Sequence, residues 1–105
     1  MLSSIQKFQN ELAEWSDGQF GFNRPPLPAL RHMREEVDEL IADPSDRMEF
    51  ADVFILLIDS ARRSGMTADE LLRVAYQKLE INRKRTWGKP NAEGYCKHVE
   101  EVVRS

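Results

Sequence analysis

Two pairs of acids stand three residues apart in the chain, Glu36 with Glu39 and Glu49 with Asp52. At about 100° of turn per residue, the members of each pair lie within about 60° on one helix face, so each helix offers two oxygen ligands. If the two helices pack antiparallel across the "ADPSD" turn between them, four carboxylates converge. Such hard oxygen donors suit Mg2+ or Mn2+, and no Cys or His cluster competes for the role. The alternative is ordinary solvated charge, with Glu49 completing a capping box with Asp46. Asp52 weighs against that alternative, because Ala51, Val53, Phe54 and Ile55 surround it. A carboxylate among apolar groups needs an ion partner, a hydrogen bond or a metal.

Asp59 follows Asp52 by seven residues and falls on nearly the same helix face two turns on. It either pairs with Arg62 or Arg63, or accepts hydrogen bonds from a base edge deeper in the same cleft. Lys78, Asn82 and Arg85 are spaced by four and three, with Lys84 beside them. They form either a solvated face or a set of donors for a phosphate tail. The aromatics Trp15, Phe20 and Phe22 precede the acidic helix; at helical spacing Trp15 reads first as a core residue. His32, one turn before the acids, is read as structural or as support for a ligand, not as a catalytic base.

These side chains need helices to hold them. Ile5, Phe8, Leu12 and Trp15 form the stripe of a first amphipathic helix capped by Ser3 or Ser4. The glycines and prolines of "SDGQFGFNRPPLP" then predict a loop. A second helix from about Pro28 carries Leu30, Met33, Val37, Leu40 and Ile41 inward and stops before Pro44. Ser45 or Asp46 caps a third, apolar nearly all round, which ends near Ser64 with Gly65 in a left-handed position. Thr67 and Glu70 form a capping box for a fourth, running through Leu71, Leu72, Ala75 and Leu79 toward Trp87. The tail "AEGYCKHVEEVVRS" allows a short fifth helix. The pattern predicts an all-α four-helix bundle over residues 1–105, one domain, with the third helix at its centre.

A composition of 41% hydrophobic and 31% charged residues is that of a folded globular chain. The net charge of -3 disfavours a nucleic-acid binder. The lone Cys96 rules out an intramolecular disulfide and fits a reducing cytosol. The first residues, "MLSSIQKFQNELAEW", lack the continuous apolar core and cleavage site of a signal peptide, and the run Phe50–Ile58, broken by Asp52, is shorter than the roughly 20 residues that span a bilayer. A cytoplasmic protein without membrane contact is expected.

The ordered acids, "EEVDE" at 35–39 and "EFAD" at 49–52, resemble the EExxE and ExxD signature of MazG-type all-α nucleoside triphosphate pyrophosphohydrolases. "FGFNRPPLPALRHMREEVDEL", "EFADVFILLIDSARRSG" and "KLEINRKRTWGKP" are similar to the MazZ-like branch that acts on dATP and dGTP. The resemblance covers about residues 15 to 90. It implies that Glu36, Glu39, Glu49 and Asp52 bind two or more Mg2+ ions, with Mn2+ an accepted substitute. It further implies that Glu36, Glu39 and Glu35 serve catalysis, one of them orienting water. Glu35 departs from that branch, which often has a basic residue there. "NRK" at 82–84 is similar to the family's phosphate-holding NxK element, so Lys78, Asn82, Lys84 and Arg85 are expected on the triphosphate. Asp59 stands at a polar position that is often Asn in the family, and with Trp15 over the ring it would favour purines. The resemblance also implies a homodimer or homotetramer. Three alternatives stay open: a non-enzymatic helical association module, a nucleic-acid binder using "NRKR", and a pyrophosphohydrolase of different base preference.

Overall fold

In the computed structural model, which describes residues 1–100, four helices follow one another: α1 (Ser4–Phe20), α2 (Leu27–Ala42), α3 (Arg47–Arg63) and α4 (Ala68–Arg83). The fold is all-α. Each start has a local cause. The Ser3 hydroxyl accepts from Gln6 N at 3.1 Å, and the Asp46 carboxylate accepts from Met48 N at 3.0 Å and Glu49 N at 3.2 Å. The Thr67 hydroxyl accepts from Glu70 N at 3.1 Å, while α2 opens on prolines without a side-chain cap.

The chain divides into two compact units, Met1–Leu72 and one beginning at Arg73. In the first unit α1 and α2 each pack on α3, which therefore lies between them. Leu12 and Ile58 are buried there, Phe8 meets Phe54 with ring centroids 5.6 Å apart, and much of the remaining interior is polar. Gln9 is 3% exposed; its amide donates to the carbonyls of Ile58 and Met66 and its oxygen accepts from Ala68 N. One glutamine on α1 thus ties the end of α3 to the start of α4.

Several boundaries and faces differ from the expectation. Residues 16–20 continue α1 instead of opening a loop. The cost of Gly18 in a helix, about 1 kcal/mol, is offset by tertiary bonds from Ser16 and Asp17 to α3. The helix ends at Gly21, whose φ of 107° favours glycine. On α2, Leu30 and Ile41 are exposed, Ile41 at 71%. Asp52 is also exposed, because the apolar neighbours Phe50, Phe54 and Leu57 on α3 are themselves uncovered in a single chain.

In the second unit α4 stops at Arg83 instead of reaching Trp87, whose indole N–H donates to the Asn82 carbonyl at 3.0 Å. No fifth helix forms among the described residues. Trp87 and His98 make an antiparallel bridge, flanked by Gly88 N to Lys97 O at 2.8 Å and Val99 N to Thr86 O at 2.7 Å. The reversal is set by Asn91, whose side-chain oxygen accepts from Glu93 N and Tyr95 N, and by Gly94 at φ 92°. The rest of the expected fifth helix, residues 101–105, lies outside the described residues. No helix is long and apolar enough to cross a membrane.

Candidate active site

The Asp43–Asp46 turn brings the C-terminal half of α2 against the first turns of α3. Glu36, Glu49 and Asp52 each present an oxygen within 4.8 Å of the others. Asp46 N bonds to the Asp43 carbonyl, so Glu49 does not close a capping box and its carboxyl turns to the acids of α2. Glu49 Oε2 is buried without a hydrogen-bond partner, a condition that costs free energy unless a cation or a proton fills it.

The electrostatics say the same. The neighbouring Glu36 carboxylate, together with desolvation, pushes the Glu49 carboxyl up to about 7. The facing Glu49 and Glu39 carboxyls, which take up the proton in its place, hold Glu36 below the usual carboxylate range, with His32 assisting. Glu39, exposed and outside the trio, is raised by the same Glu36 charge. Glu35 is also exposed, and its charge adds to the raising of Glu39. His32 Nε2 lies 3.0 Å from Glu36 Oε1 and donates to the carboxylate, restraining its orientation. A compact set of oxygens, with the Glu49 carboxyl raised by its neighbour and an orphaned buried acceptor beside it, fits a hard divalent cation.

Glu36 and Asp52 open onto a cavity of about 530 Å³ that Trp15, Phe8, Phe20 and Asp59 also line. Trp15 is 57% exposed, not a core residue, and stands edge-on to Phe20 with centroids 5.5 Å apart. Asp59 at 7% exposure has both oxygens engaged. Oδ1 accepts from Arg62 Nε at 3.0 Å and Nη2 at 2.8 Å, and Oδ2 accepts from Ser16 Oγ at 2.8 Å and Arg63 Nε at 3.3 Å. Burial opposes its ionisation, but the bonds from Ser16 and Arg62 prevail and keep the carboxyl below its usual value. Arg62 also meets Asp17 at 3.0 Å, and Arg63 donates to the carbonyl of Gly21 at 3.2 Å. The network pins the end of α1 and the following loop to α3.

Lys78, Asn82, Lys84 and Arg85 belong to the second unit. Lys78 and Lys84 are exposed, Lys84 facing Glu80 at 3.6 Å, and Arg85 Nη1 donates to Asn82 Oδ1 at 3.4 Å. Glu11 also lines the large cavity. The sequence reading did not single it out, although at about 100° per residue it sits about 40° from Trp15 on the same face of α1.

Residues 8–105 match the family described as dATP/dGTP pyrophosphohydrolase. The chain is 34% identical over 101 residues to the dATP/dGTP diphosphohydrolase of Cyanophage S-2L, covering 94% of this chain and 91% of that one. It is 40% identical over 100 residues to the Eaa protein of Salmonella phage P22, covering 95% of this chain but 31% of that longer protein. A solved structure of the Cyanophage S-2L MazG-like pyrophosphohydrolase, bound to dGDP and three catalytic Mn2+ ions per active site, superposes with a TM-score of 0.78. Its identity is 31%, with 94% of this chain and all of that chain covered. With 98 of its 105 residues matched by the family and the acids gathered as such chemistry requires, the chain belongs to the dATP/dGTP pyrophosphohydrolase family.

Proposed function

We propose that the protein hydrolyses dATP and dGTP to the monophosphates and pyrophosphate in a Mg2+-dependent reaction, with Mn2+ able to replace Mg2+. The observation that carries the reading is the trio Glu36, Glu49 and Asp52, with its orphaned Glu49 oxygen, opening on a cavity walled by Trp15 and Phe20. Glu36, Glu39, Glu49 and Asp52 hold two or more divalent ions. When bound, these ions supply Lewis acidity and charge neutralisation to the phosphoryl group being transferred. Glu39 or Glu35, on the exposed side of the cluster, orients the attacking water by accepting its proton. His32 holds Glu36 in its liganding orientation. Trp15 covers the purine face, and Asp59 serves the substrate through the cavity wall that it holds together. Lys78, Asn82, Lys84 and Arg85 bind the phosphate tail as compact cationic and amide donors.

The active assembly in this reading is a homodimer or a dimer of dimers. Ile41, Met48, Phe50 and Phe54 are 71%, 75%, 56% and 43% exposed in one chain, an apolar surface that a second copy would cover. The protein acts on free nucleotides in the cytosol, and its net charge of -3 does not favour nucleic acid as a partner.

The test is incubation with each of the four deoxynucleoside triphosphates and Mg2+, resolving mono- from diphosphates. Rapid formation of dAMP and dGMP with pyrophosphate, and slow turnover of dCTP and dTTP, is the expected result. Release of orthophosphate and diphosphates, or no turnover with either Mg2+ or Mn2+, would overturn the reading.

A further inference from the structure

The large cavity presents five polar side chains, and the structure leaves one of them uncommitted. Glu36 and Asp52 belong to the metal cluster, and His32 is bonded to Glu36. Both Asp59 oxygens already accept two hydrogen bonds each, from Ser16 and from Arg62 and Arg63. Glu11 has neither a hydrogen bond nor an ion pair among the described residues, yet it lines the cavity beside Phe8 and Trp15. It lies one helical turn before Trp15, so its carboxylate stands at the rim of a ring lying on that indole.

We propose that Glu11 is a specificity-determining residue that reads the donor edge of the base, and that it favours guanine. The inference rests on the nucleotide reading of the cavity. An ionised carboxylate is an acceptor only, with two oxygens side by side. The N1–H and N2–H of guanine are two donors with that same spacing and pair with it in a bidentate manner. Adenine offers a single usable donor, N6–H, beside an acceptor, N1, which the carboxylate repels. Trp15 supplies stacking that both purines share, and Glu11 supplies the difference between them.

The experiment compares wild-type protein with Glu11→Ala and Glu11→Gln, using Mn2+ and three monophosphates: dGMP, its 2',3'-dideoxy analogue, and the deoxynucleotide of unsubstituted purine. Affinity is read by calorimetry and kcat/KM is measured on the matching triphosphates. Glu11→Ala is expected to weaken both guanine nucleotides at least tenfold and to leave the unsubstituted purine within about twofold, with Tm and Mn2+ affinity unchanged. Glu11→Gln, which retains one acceptor, should fall between. Loss confined to dGMP would assign Glu11 to the 3'-hydroxyl and overturn the proposal. Equal loss on all three, or no loss, would overturn it as well. Absence of turnover in wild-type protein would remove the catalytic reading while the binding ratios still decide Glu11; absence of any guanine binding would overturn both.

Discussion

Glu49 is the acid whose environment departs furthest from that of a free side chain. Its carboxyl is pushed up to about 7 by Glu36 and by desolvation, so below that pH it holds a proton that a cation bound there would displace. The sign follows directly. Below about 7 the proton competes, and Mn2+ affinity should rise by up to tenfold per pH unit, flattening above that value, with about one proton released per binding event. Titration calorimetry in buffers of different ionisation enthalpy checks this, and a pH-independent affinity would count against Glu49 as a ligand. In the metal-free protein the raised group favours folding at low pH and loses that contribution as pH rises from the usual carboxylate range toward about 7. Glu36→Gln, Glu39→Gln, Glu49→Gln and Asp52→Asn should therefore each lower kcat at least a hundredfold, while the metal-free Tm stays level or rises. Two fully active variants among the four would sink the metal-site assignment.

The ion pairs between α1 and α3 are placed to hold secondary structure rather than to meet a base. Asp59→Ala leaves Arg62 and the 5%-exposed Arg63 side chain without their shared acceptor, and should cost about 2 to 3 kcal/mol. Turnover of all four deoxynucleoside triphosphates should fall by the same factor, because the Gly21 loop and the Phe20 ring loosen together. A selective loss on purines would restore Asp59 to direct base contact. Since its carboxyl is held low, the contribution of Asp59 is full above the usual aspartate value and is lost as pH falls through the native one, so Asp59→Ala should narrow the gap in Tm to wild type in acid.

Among the described residues Ile41, Met48, Phe50 and Phe54 stand exposed, the apolar surface that the proposed assembly would cover. Ile41 and Phe50 lie between Glu36 and Asp52 in the sequence, and both are more than half exposed in one chain. Light scattering at micromolar concentration should return a dimer or tetramer, and Phe50→Glu should shift it toward monomer with at least a tenfold loss of kcat/KM. A fully active monomer would refute the assembly. Mg2+ or Mn2+ should raise Tm of the assembled protein, by linkage to the folded site; a non-enzymatic helical module would ignore both ions.

The helices, most of their caps and the spacing of the acids were legible in the chain because they are local: a period near 3.6, a Ser, Asp or Thr before an apolar run, and a glycine or proline after it. The family was legible for a related reason, since the acids and the helix that carries them recur in fixed order. Tertiary packing alone decided which acids meet. The seating of α2 against α3 brings Glu36 to Glu49 and Asp52 and leaves Glu39 at the edge, a matter of the helices' relative register that no periodicity within one helix encodes. It also decided that Ser16 to Phe20 stay helical across Gly18, because bonds to Asp59 and Arg62 outweigh a local propensity of about 1 kcal/mol. The same network saturates Asp59, while Glu11 lines the cavity without a partner among the described residues. Hydrogen-bond saturation is settled by partners 43 residues away, as with Ser16 and Asp59, so only the folded chain could show which carboxylate remains free to bind.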